Sequence, residues 1–305
     1  MERAIRAISA RNWARLALLF VTVVWGAGFV AADVALRTYR PSEILLFRFI
    51  SGLGLSLLPL IWQRRPLAPL VARSTRGYRR GRYYALACGF CLFLGFLFQT
   101  EGLQFTTPSK NAFLTSLNVI VVPFLEAIFG RERLRPSRLV AAGLALFGVG
   151  LLTLDANFQI GLGDGLSFIC AFCFAAQMFL LSLALREISS EEAIRLELLS
   201  ATVFGALYYL VVGLRPLRFE GLPFLGLLFL GFISTGLCYF LQSLSQRYLS
   251  ASETAIILSL IAVFACLFSV WLLGEALSLR MLLGALCIMM AVIGINFFED
   301  KRHRL

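Results

Sequence analysis

The sequence predicts an all-α integral membrane protein with ten transmembrane helices, arranged as two inverted five-helix repeats. Three observations support this fold class: an apolar composition, a series of apolar stretches of membrane-spanning length, and an internal sequence similarity. Of the 305 residues, 59% are hydrophobic and 15% are charged, and the mean hydropathy is +0.84. Because soluble domains are close to half apolar and a quarter charged, this composition excludes the ordinary soluble and disordered classes.

Ten apolar stretches recur along the chain, separated by charged or turn-rich segments. Their lengths match the roughly 20 residues that a helix needs to cross a bilayer, and they are too uniformly apolar for the alternating strands of a membrane barrel. A cleaved signal peptide is an alternative for the first stretch, but its apolar core is longer than signal peptides have. We place the spans at residues 16–36, 43–62, 83–105, 109–129, 136–154, 162–186, 193–213, 222–246, 251–273 and 279–298.

The basic charge of the chain follows the predicted topology. A net charge of +11 would suggest nucleic-acid binding in a soluble protein, but most of the 28 lysines and arginines lie in loops between spans. The positive-inside rule then places both termini in the cytoplasm and the protein in a cytoplasmic (inner or plasma) membrane, surrounded by lipids. We expect no nucleic-acid partner. The few basic residues on the opposite side are Arg37, Arg40, Lys110, Arg215, Arg218 and Arg280.

The second half of the sequence resembles the first. Without gaps, Gln99 aligns with Gln242 and Lys110 aligns with Glu253. Five helices in each copy force the second copy to cross the membrane upside down, as in many secondary transporters, whose substrate lies near the midplane between the copies. We expect the first repeat at residues 1–155 and the second at 156–305. A duplication retained in a protein that transports nothing is the alternative.

Four segments carry a family resemblance. They are WGAGFV in span 1, Arg48–Phe49 in span 2, FQTEGLQFTTPSKNAFLTSLNVIVVPFL across spans 3 and 4, and LQSLSQRYLSASETAIILSLIAVFACLFSVWLLGE across spans 8 and 9. Together they resemble the EamA-type, ten-helix members of the drug/metabolite transporter superfamily. The resemblance implies a transporter, often an exporter of amino acids or related small metabolites. Span 9 of the family often has an acidic residue followed by proline, where this chain has Ile261 and Ala262, so the bending role of that pair is not implied here.

Span 4 carries a polar stripe on one helical face. Asn111, Thr115, Asn118, Val122 and Glu126 are three or four residues apart and therefore share that face. Because polar groups in contact with lipid are unfavourable, the stripe should face the bundle interior or a cavity. Asn118, near the middle of the membrane, is then either a substrate contact or an interhelical hydrogen-bonding group. Glu126 lies close to the cytoplasmic end and is the weaker candidate.

Further polar and aromatic residues near the middle of the membrane extend this candidate substrate site. Gln99 and Gln242 are equivalent in the two repeats and should flank the axis that relates them. Trp25 lies beside small residues, so ordinary helix packing is the alternative for it. The remaining candidates are Thr100, Gln177, Tyr239 and Ser259.

Charged residues near the span ends form two groups of candidate gates. The non-cytoplasmic group consists of Asp33, Arg48, Glu101 and Lys110, and the cytoplasmic group consists of Glu197, Arg247 and Glu253. On the outside, we expect Arg48 to pair with Glu101 or Asp33. On the inside, we expect Arg247 to pair with Glu197 or Glu253. Long charged side chains that only reach the membrane interface are the alternative.

The sequence offers no catalytic or metal-binding constellation. The single histidine, His303, lies near the end of the chain, and no glycine-rich phosphate loop is present. The pairs Cys88/Cys91 and Cys170/Cys173 lie within apolar spans without further ligands, so we interpret them as buried thiols. We therefore expect no enzyme, cofactor or metal. Small residues expected to let helices approach closely, especially within each half, are Gly143, Gly148, Gly150, Gly284 and Gly294.

A small-molecule transporter is the favoured function, and two other classes remain open. A flippase for a lipid or a lipid-linked sugar is the main alternative, followed by a channel or a structural protein. The longest hydrophilic segment, about residues 63–82, is too short for a domain that hydrolyses ATP. The sequence does not decide between proton coupling and facilitated diffusion, and a homodimer and a monomer agree with it equally well.

Overall fold

The computed structural model describes residues 2–63, 75–129, 135–153, 161–213, 219, 221–273 and 279–303. All ten predicted spans are helical within these ranges. Spans 1, 2, 3, 5, 6, 7 and 10 are the helices Glu2–Leu36, Pro41–Gln63, Thr75–Leu103, Pro136–Thr153, Leu162–Ala184, Ser190–Val212 and Leu279–His303. Span 4 consists of Pro108–Ser116 and Asn118–Ile128, and span 9 of Ala251–Leu258 and Ile261–Leu273. Span 8 consists of Gly221–Leu228, a π-helix Phe229–Leu237, and Cys238–Ser245.

These helices confirm the predicted fold class. In the described part of the chain, eight spans are long and apolar enough to cross a membrane, and spans 5 and 10 contain the shorter apolar helices Pro136–Gly148 and Leu282–Gly294. Large apolar side chains such as Phe147, Val211 and Trp271 are exposed on the outside of the bundle. A lipid environment satisfies such an apolar surface, whereas water does not. The chain is a multi-pass membrane protein.

Hydroxyl side chains determine where three of the spans begin. Thr107 caps span 4 by accepting a hydrogen bond from the backbone N–H of Lys110. Ser250 caps span 9 in the same way, through the N–H of Glu253, and Ser189 caps span 7. Each hydroxyl satisfies a backbone donor that the first helical turn leaves free. Thr107 and Ser250 are equivalent in the two repeats, so the same local chemistry starts both copies of this helix.

Spans 4 and 9 break at equivalent places. Span 4 breaks at Leu117, whose N–H bonds to the carbonyl of Leu114 in a tight turn. Span 9 breaks at Ser259–Leu260, where the Leu260 N–H bonds in the same way to Ile257. Pro123 lies six residues after the first break, where a proline lacks an N–H and crowds the carbonyl four residues before it. Span 9 has no proline there, and its Ser259 hydroxyl donates to the Ile256 carbonyl at 2.6 Å, a bond that bends helices. The bend of span 9 is therefore present with Ile261 and Ala262 in place of the family's usual pair.

Spans 5 and 10 pack against each other at the edge of the bundle. A Cβ atom at Gly148 would lie 2.6 Å from the carbonyl oxygen of Gly284, so glycine is required for this approach. The contact joins the two halves, which corrects the expectation that these glycines act within each half. Nothing lies within 4 Å of a Cβ placed at Gly143 or Gly294, so these two glycines serve no close approach to another described helix.

The contacts between helix ends fix the orientation of the spans. Arg11, near the beginning of span 1, lies 2.8 Å from Glu253, at the beginning of span 9. Spans 1 and 9 therefore start at the same end of the bundle, and span 10 returns to it. We call this end the termini face, because residues 2 and 303 both lie towards it. We call the other end, where spans 4 and 6 begin, the distal face.

Candidate functional site

A cavity lies between the two halves of the bundle and takes residues from both of them. The space not filled by atoms is about 740 Å³ including its open part. The cavity wall is formed by spans 1, 2, 3, 4, 6, 8 and 9. Its residues are Trp25, Gly28, Phe29, Ala32, Arg48, Phe96, Gln99, Thr100, Leu103, Ala112, Thr115, Ser116, Asn118, Phe174, Gln177, Met178, Leu230, Ser234, Tyr239, Leu258 and Ile261.

The cavity is displaced towards the distal face. Ala32, Leu103 and Ala112 line it from the distal halves of spans 1, 3 and 4. Ala255, which is equivalent to Ala112 in the second repeat, is fully buried in the hydrophobic core and does not line the cavity. The two copies of the fold are therefore packed differently at the two ends, although their helices correspond.

Most of the predicted substrate candidates lie around this cavity. Trp25, Gln99, Gln177 and Tyr239 line it together with Thr100. The Trp25 indole N–H donates to the backbone carbonyl of Ser234 at 2.8 Å, and its ring lies 4.9 Å from the ring of Tyr239. This tryptophan joins spans 1 and 8 and also presents one side to the cavity. It therefore packs between helices and contributes to the site.

The polar stripe of span 4 divides into three kinds of contact. Asn111 is fully buried and donates to the Gln99 carbonyl and to the Ser167 hydroxyl, both at 3.0 Å, so it holds helices together. Asn118 lines the cavity, and its side chain has no hydrogen-bond partner among the described residues. Glu126 lies near the termini face, where it accepts from Arg138 at 3.1 Å and from Ser252. Only Asn118 is available for a ligand at the centre of the stripe.

Two of the predicted candidates lie outside the cavity. Gln242 is fully buried on a face of span 8 that does not reach the cavity, and its amide nitrogen and oxygen have no partner within the described ranges. Ser259 is buried in the break of span 9, where its hydroxyl bonds back to its own helix. The equivalence of Gln99 and Gln242 does not extend to the site, because the cavity lies on the distal side of the axis.

Arg48 is not in the gate predicted for it. It lies two helical turns inside span 2, lines the cavity, and is only 3% exposed. Its Nε donates to the hydroxyl of Thr235 in the π-helix at 3.0 Å. Its guanidinium carbon lies 3.7 Å from the centre of the Phe96 ring. The sequence did not single out Phe96, Ser234 or Thr235, since a single aromatic or hydroxyl residue in an apolar span is usually a packing residue.

The expected partners of Arg48 bind other residues. Asp33 pairs with Arg37 one turn away, at 3.2 Å, in an exposed position. Glu101 accepts hydrogen bonds from Tyr208 and, at 2.7 Å, from Gln104. Both carboxylates lie near the distal ends of their spans, whereas Arg48 lies two turns from the distal end of span 2.

Each end of the bundle carries ion pairs between the two halves. At the distal face, the Lys110 ammonium lies 2.6 Å from Asp164, which also accepts from the Thr106 hydroxyl and the Gly161 N–H. At the termini face, Glu253 pairs with Arg11 at 2.8 Å and with Arg15 at 3.0 Å. Lys110 and Glu253 were predicted as gates, whereas Asp164, Arg11 and Arg15 were not. We call these two sets the distal pair and the termini pair.

The other predicted gate residues of the second half are placed differently. Arg247 is exposed and forms no ion pair with Glu197 or Glu253 in the described structure. Glu197 is fully buried behind the cavity, where its Oε1 accepts from Gln177 at 2.7 Å. Its Oε2 has no partner among the residues that the structure describes. Glu197 therefore supports a cavity residue instead of closing the termini face.

Two inverted five-helix copies that enclose a cavity between them are the construction of a secondary transporter. The model of the EamA-like transporter family matches the chain twice, over residues 12–154 and 161–297, and the chain belongs to this family. It is 29% identical over 285 residues to an uncharacterized transporter of Archaeoglobus fulgidus, covering 93% of this chain and 85% of that protein. A solved crystal structure that is 16% identical covers 93% of this chain and 96% of its own with a TM-score of 0.75, and shares the fold.

The positions of charged residues within corresponding spans show which of them are equivalent. Arg15 and Asp164 lie near the beginning of the first span of their copy, and Arg48 and Glu197 are each the eighth residue of the helix that forms the second span. Lys110 and Glu253 correspond by the alignment of the two repeats. The termini pair and the distal pair are therefore equivalent contacts with both signs reversed. In the same way, the buried cation of span 2 is replaced by a buried carboxyl group in span 7.

Proposed function

We propose that this protein is a secondary transporter that moves small organic metabolites, amino acids or related compounds among them, by alternating access. The observation that carries the proposal is the cavity between the two inverted copies, which takes residues from both of them. A site of this kind can open to either side when one half tilts against the other. We further propose that the protein exports its substrate across the cytoplasmic membrane. We also propose that both termini lie in the cytoplasm, because the basic residues concentrate in the loops on that side. Reporters fused to either end of the chain test this orientation.

The distal and termini pairs are the gates of this cycle. Each pair joins the two halves at one end, so tilting the halves apart at that end must break it. The termini pair is almost fully buried, with the side chains of Arg15 and Glu253 10% and 1% exposed, and the Asp164 side chain is 7% exposed. An ion pair in such surroundings is screened less by salt than a surface pair, so its loss matters for the balance between conformations.

Within the site, Asn118 is the polar contact and Trp25 and Tyr239 form an aromatic wall. An amide with no hydrogen-bond partner among the described residues offers both a donor and an acceptor to a substrate. The break at Leu117 places Asn118 at the first residue of the second helical segment of span 4. Movement at this break would therefore move Asn118 directly.

Counterflow in proteoliposomes tests the proposed function. Vesicles containing the purified protein are loaded with an unlabelled amino acid, nucleobase or cationic drug, and uptake of the labelled compound is followed with and without a pH gradient. We expect at least one compound to show saturable uptake that is stimulated by the same compound inside. Uptake that does not saturate indicates a channel, and movement of lipid headgroups without solute exchange indicates a flippase.

A matched pair of variants connects that activity to the cavity. Asn118→Ala removes a cavity side chain and should raise the apparent KM by about fivefold, the effect of one lost hydrogen bond. Thr202→Ala removes a hydroxyl in span 7 that bonds to its own helix, at the Leu198 carbonyl, and should leave the KM unchanged. Equal effects of the two substitutions would contradict the assignment of the site.

A further inference from the structure

Arg48 stands out in the cavity because no carboxylate in the described part of the chain neutralises it. It is the only charged residue among the described residues that line the cavity. Its contacts are a neutral hydroxyl, on Thr235, and an aromatic ring, on Phe96. Buried arginines are normally paired with carboxylates, because an isolated charge in a low-dielectric interior is unfavourable. The protein thus maintains a buried positive charge whose counter-ion is missing from its own described side chains.

The geometry of Arg48 leaves its strongest binding edge unused. The Nε atom is occupied by Thr235, and one face of the guanidinium lies on Phe96. The two terminal nitrogens donate no hydrogen bond to any residue in the described part of the chain. These nitrogens form a planar fork that matches the two oxygens of a carboxylate. Thr235 and Phe96 fix the orientation of the fork, so little side-chain freedom is lost on binding.

The rest of the cavity suits the organic part of such an anion. Trp25, Phe96, Phe174 and Tyr239 provide aromatic surface, and Asn118 provides one neutral polar contact. No aspartate or glutamate lines the cavity within the described ranges, so the ammonium group of a cationic substrate would find no counter-charge. A ligand with one negative charge balances Arg48, whereas a zwitterion leaves an ammonium group without an ionic partner.

From these observations we propose that the substrate is a small organic monocarboxylate with an apolar body, whose carboxylate is held by Arg48. The proposal rests on the transport function above and narrows its substrate class. We therefore expect simple carboxylic acids to bind more tightly than zwitterionic amino acids, and both classes to bind more tightly than amines. The carboxylate replaces the missing counter-ion, and the aromatic wall covers the apolar body.

Two matched sets of compounds with constant skeletons test the proposal on the purified full-length protein. The aromatic set is 3-phenylpropionate, 3-phenylpropionamide, phenylalanine and phenethylamine. The branched alkyl set is 4-methylpentanoate, 4-methylpentanamide, leucine and isopentylamine. Binding is measured by the ligand-dependent shift of thermal unfolding, and transport by counterflow. We expect the carboxylate of at least one set to bind about 10- to 100-fold more tightly than its amide, as a charged hydrogen-bonding pair contributes.

Three variants assign that preference to one residue. Arg48→Gln should abolish the preference for carboxylate over amide while amide binding persists. Arg48→Lys should retain part of it, because the charge stays and the fork is lost. Arg280→Gln removes an exposed charge at the start of span 10 and should change nothing. The role of the fork is overturned if the preference for carboxylate survives in Arg48→Gln. It is also overturned if the preference in Arg48→Lys equals that of the wild type.

The outcomes separate this inference from the proposed function. If the amide, zwitterion or amine binds as tightly as the carboxylate, or if no carboxylate binds, the monocarboxylate inference is wrong. Counterflow of another compound would leave the transport function standing in that case. If carboxylates bind through Arg48 but no compound shows counterflow, the recognition is supported and the transport function is wrong.

Discussion

Asn111 and Asn118 lie on the same face of span 4, yet only Asn118 remains available to a ligand. A sequence pattern identifies the face but not which of its members find partners, because the partners of Asn111 lie on spans 3 and 6. Arg48 shows the same limit. The sequence grouped it with the gate residues near the span ends, and its place in the cavity without a described carboxylate beside it depends on how the other helices are placed.

Glycine positions show the same limit: the sequence does not predict which glycines are in close contact with another helix. Gly89 in span 3 touches span 7 so closely that a Cβ would lie 2.1 Å from the Glu197 carbonyl oxygen and 2.7 Å from the Ser200 Cβ. Gly143 in span 5 has no atom of a described residue within 4 Å of such a Cβ. The sequence around the two residues does not separate them, since both are glycines within apolar helices.

At this scale we predict opposite effects of one substitution at two glycines. Gly89→Ala must push span 7 away and should destabilise the protein by about 1–3 kcal/mol, the usual effect of overpacking. Gly143→Ala should be neutral or stabilising by up to about 1 kcal/mol, because alanine favours the helix. Thermal unfolding of the purified variants in detergent measures both, and equal midpoints would contradict the close contact of spans 3 and 7.

Among the helices, the lengths and order of the spans were predictable and their interruptions were not. Apolar length alone locates all ten spans. The break in span 4 was not predicted, although Pro123 follows it in the same span and proline disturbs the preceding helical turn. Span 9 gives no such signal, and its break depends on hydrogen bonds of Ser259 and Leu260 that form only in the folded bundle.

The break in span 4 leads to a prediction about turnover. Pro123→Ala restores a backbone donor and removes the ring that crowds the helical turn next to the break, so span 4 should become straighter and stiffer. We expect slower counterflow, by severalfold, with substrate binding retained. Pro108→Ala in the same span is the control, because a proline at the first helical position lacks only a donor that has no helical partner. Unchanged turnover in Pro123→Ala would mean that the break does not move during transport.

For the whole molecule, the sequence predicts two inverted copies, and the family match and the helices agree with them. The displacement of the cavity towards the distal face is not predictable from the sequence. An inverted repeat implies two related conformations of similar energy, and nothing in the repeat alone says which of them is the more stable. That choice depends on small differences in packing, such as those between Ala112 and Ala255.

The two ion-pair sets give a prediction about which side of the molecule opens. Lys110→Gln weakens the distal pair and should favour the conformation open at the distal face. Glu253→Gln, at the equivalent position, weakens the termini pair and should favour the other conformation. The readout is the labelling rate of Ala32→Cys, in the cavity, by an impermeant thiol reagent applied at the distal face and quantified at that residue by mass spectrometry. We expect changes of roughly tenfold in opposite directions, corresponding to about 1.4 kcal/mol each. Changes in the same direction would exclude a gating role.

The sign reversal between the two ion-pair sets also restricts how the halves can assemble. If two copies of the first half met each other, Arg15 would face Lys110 and two cations would be forced together. If two copies of the second half met, Asp164 would face Glu253 and two carboxylates would be forced together. Like charges at such a junction oppose association. Each half is therefore complementary to its counterpart and mismatched with itself, so the charges specify a pairing of unlike halves that the shared helical architecture alone would leave ambiguous.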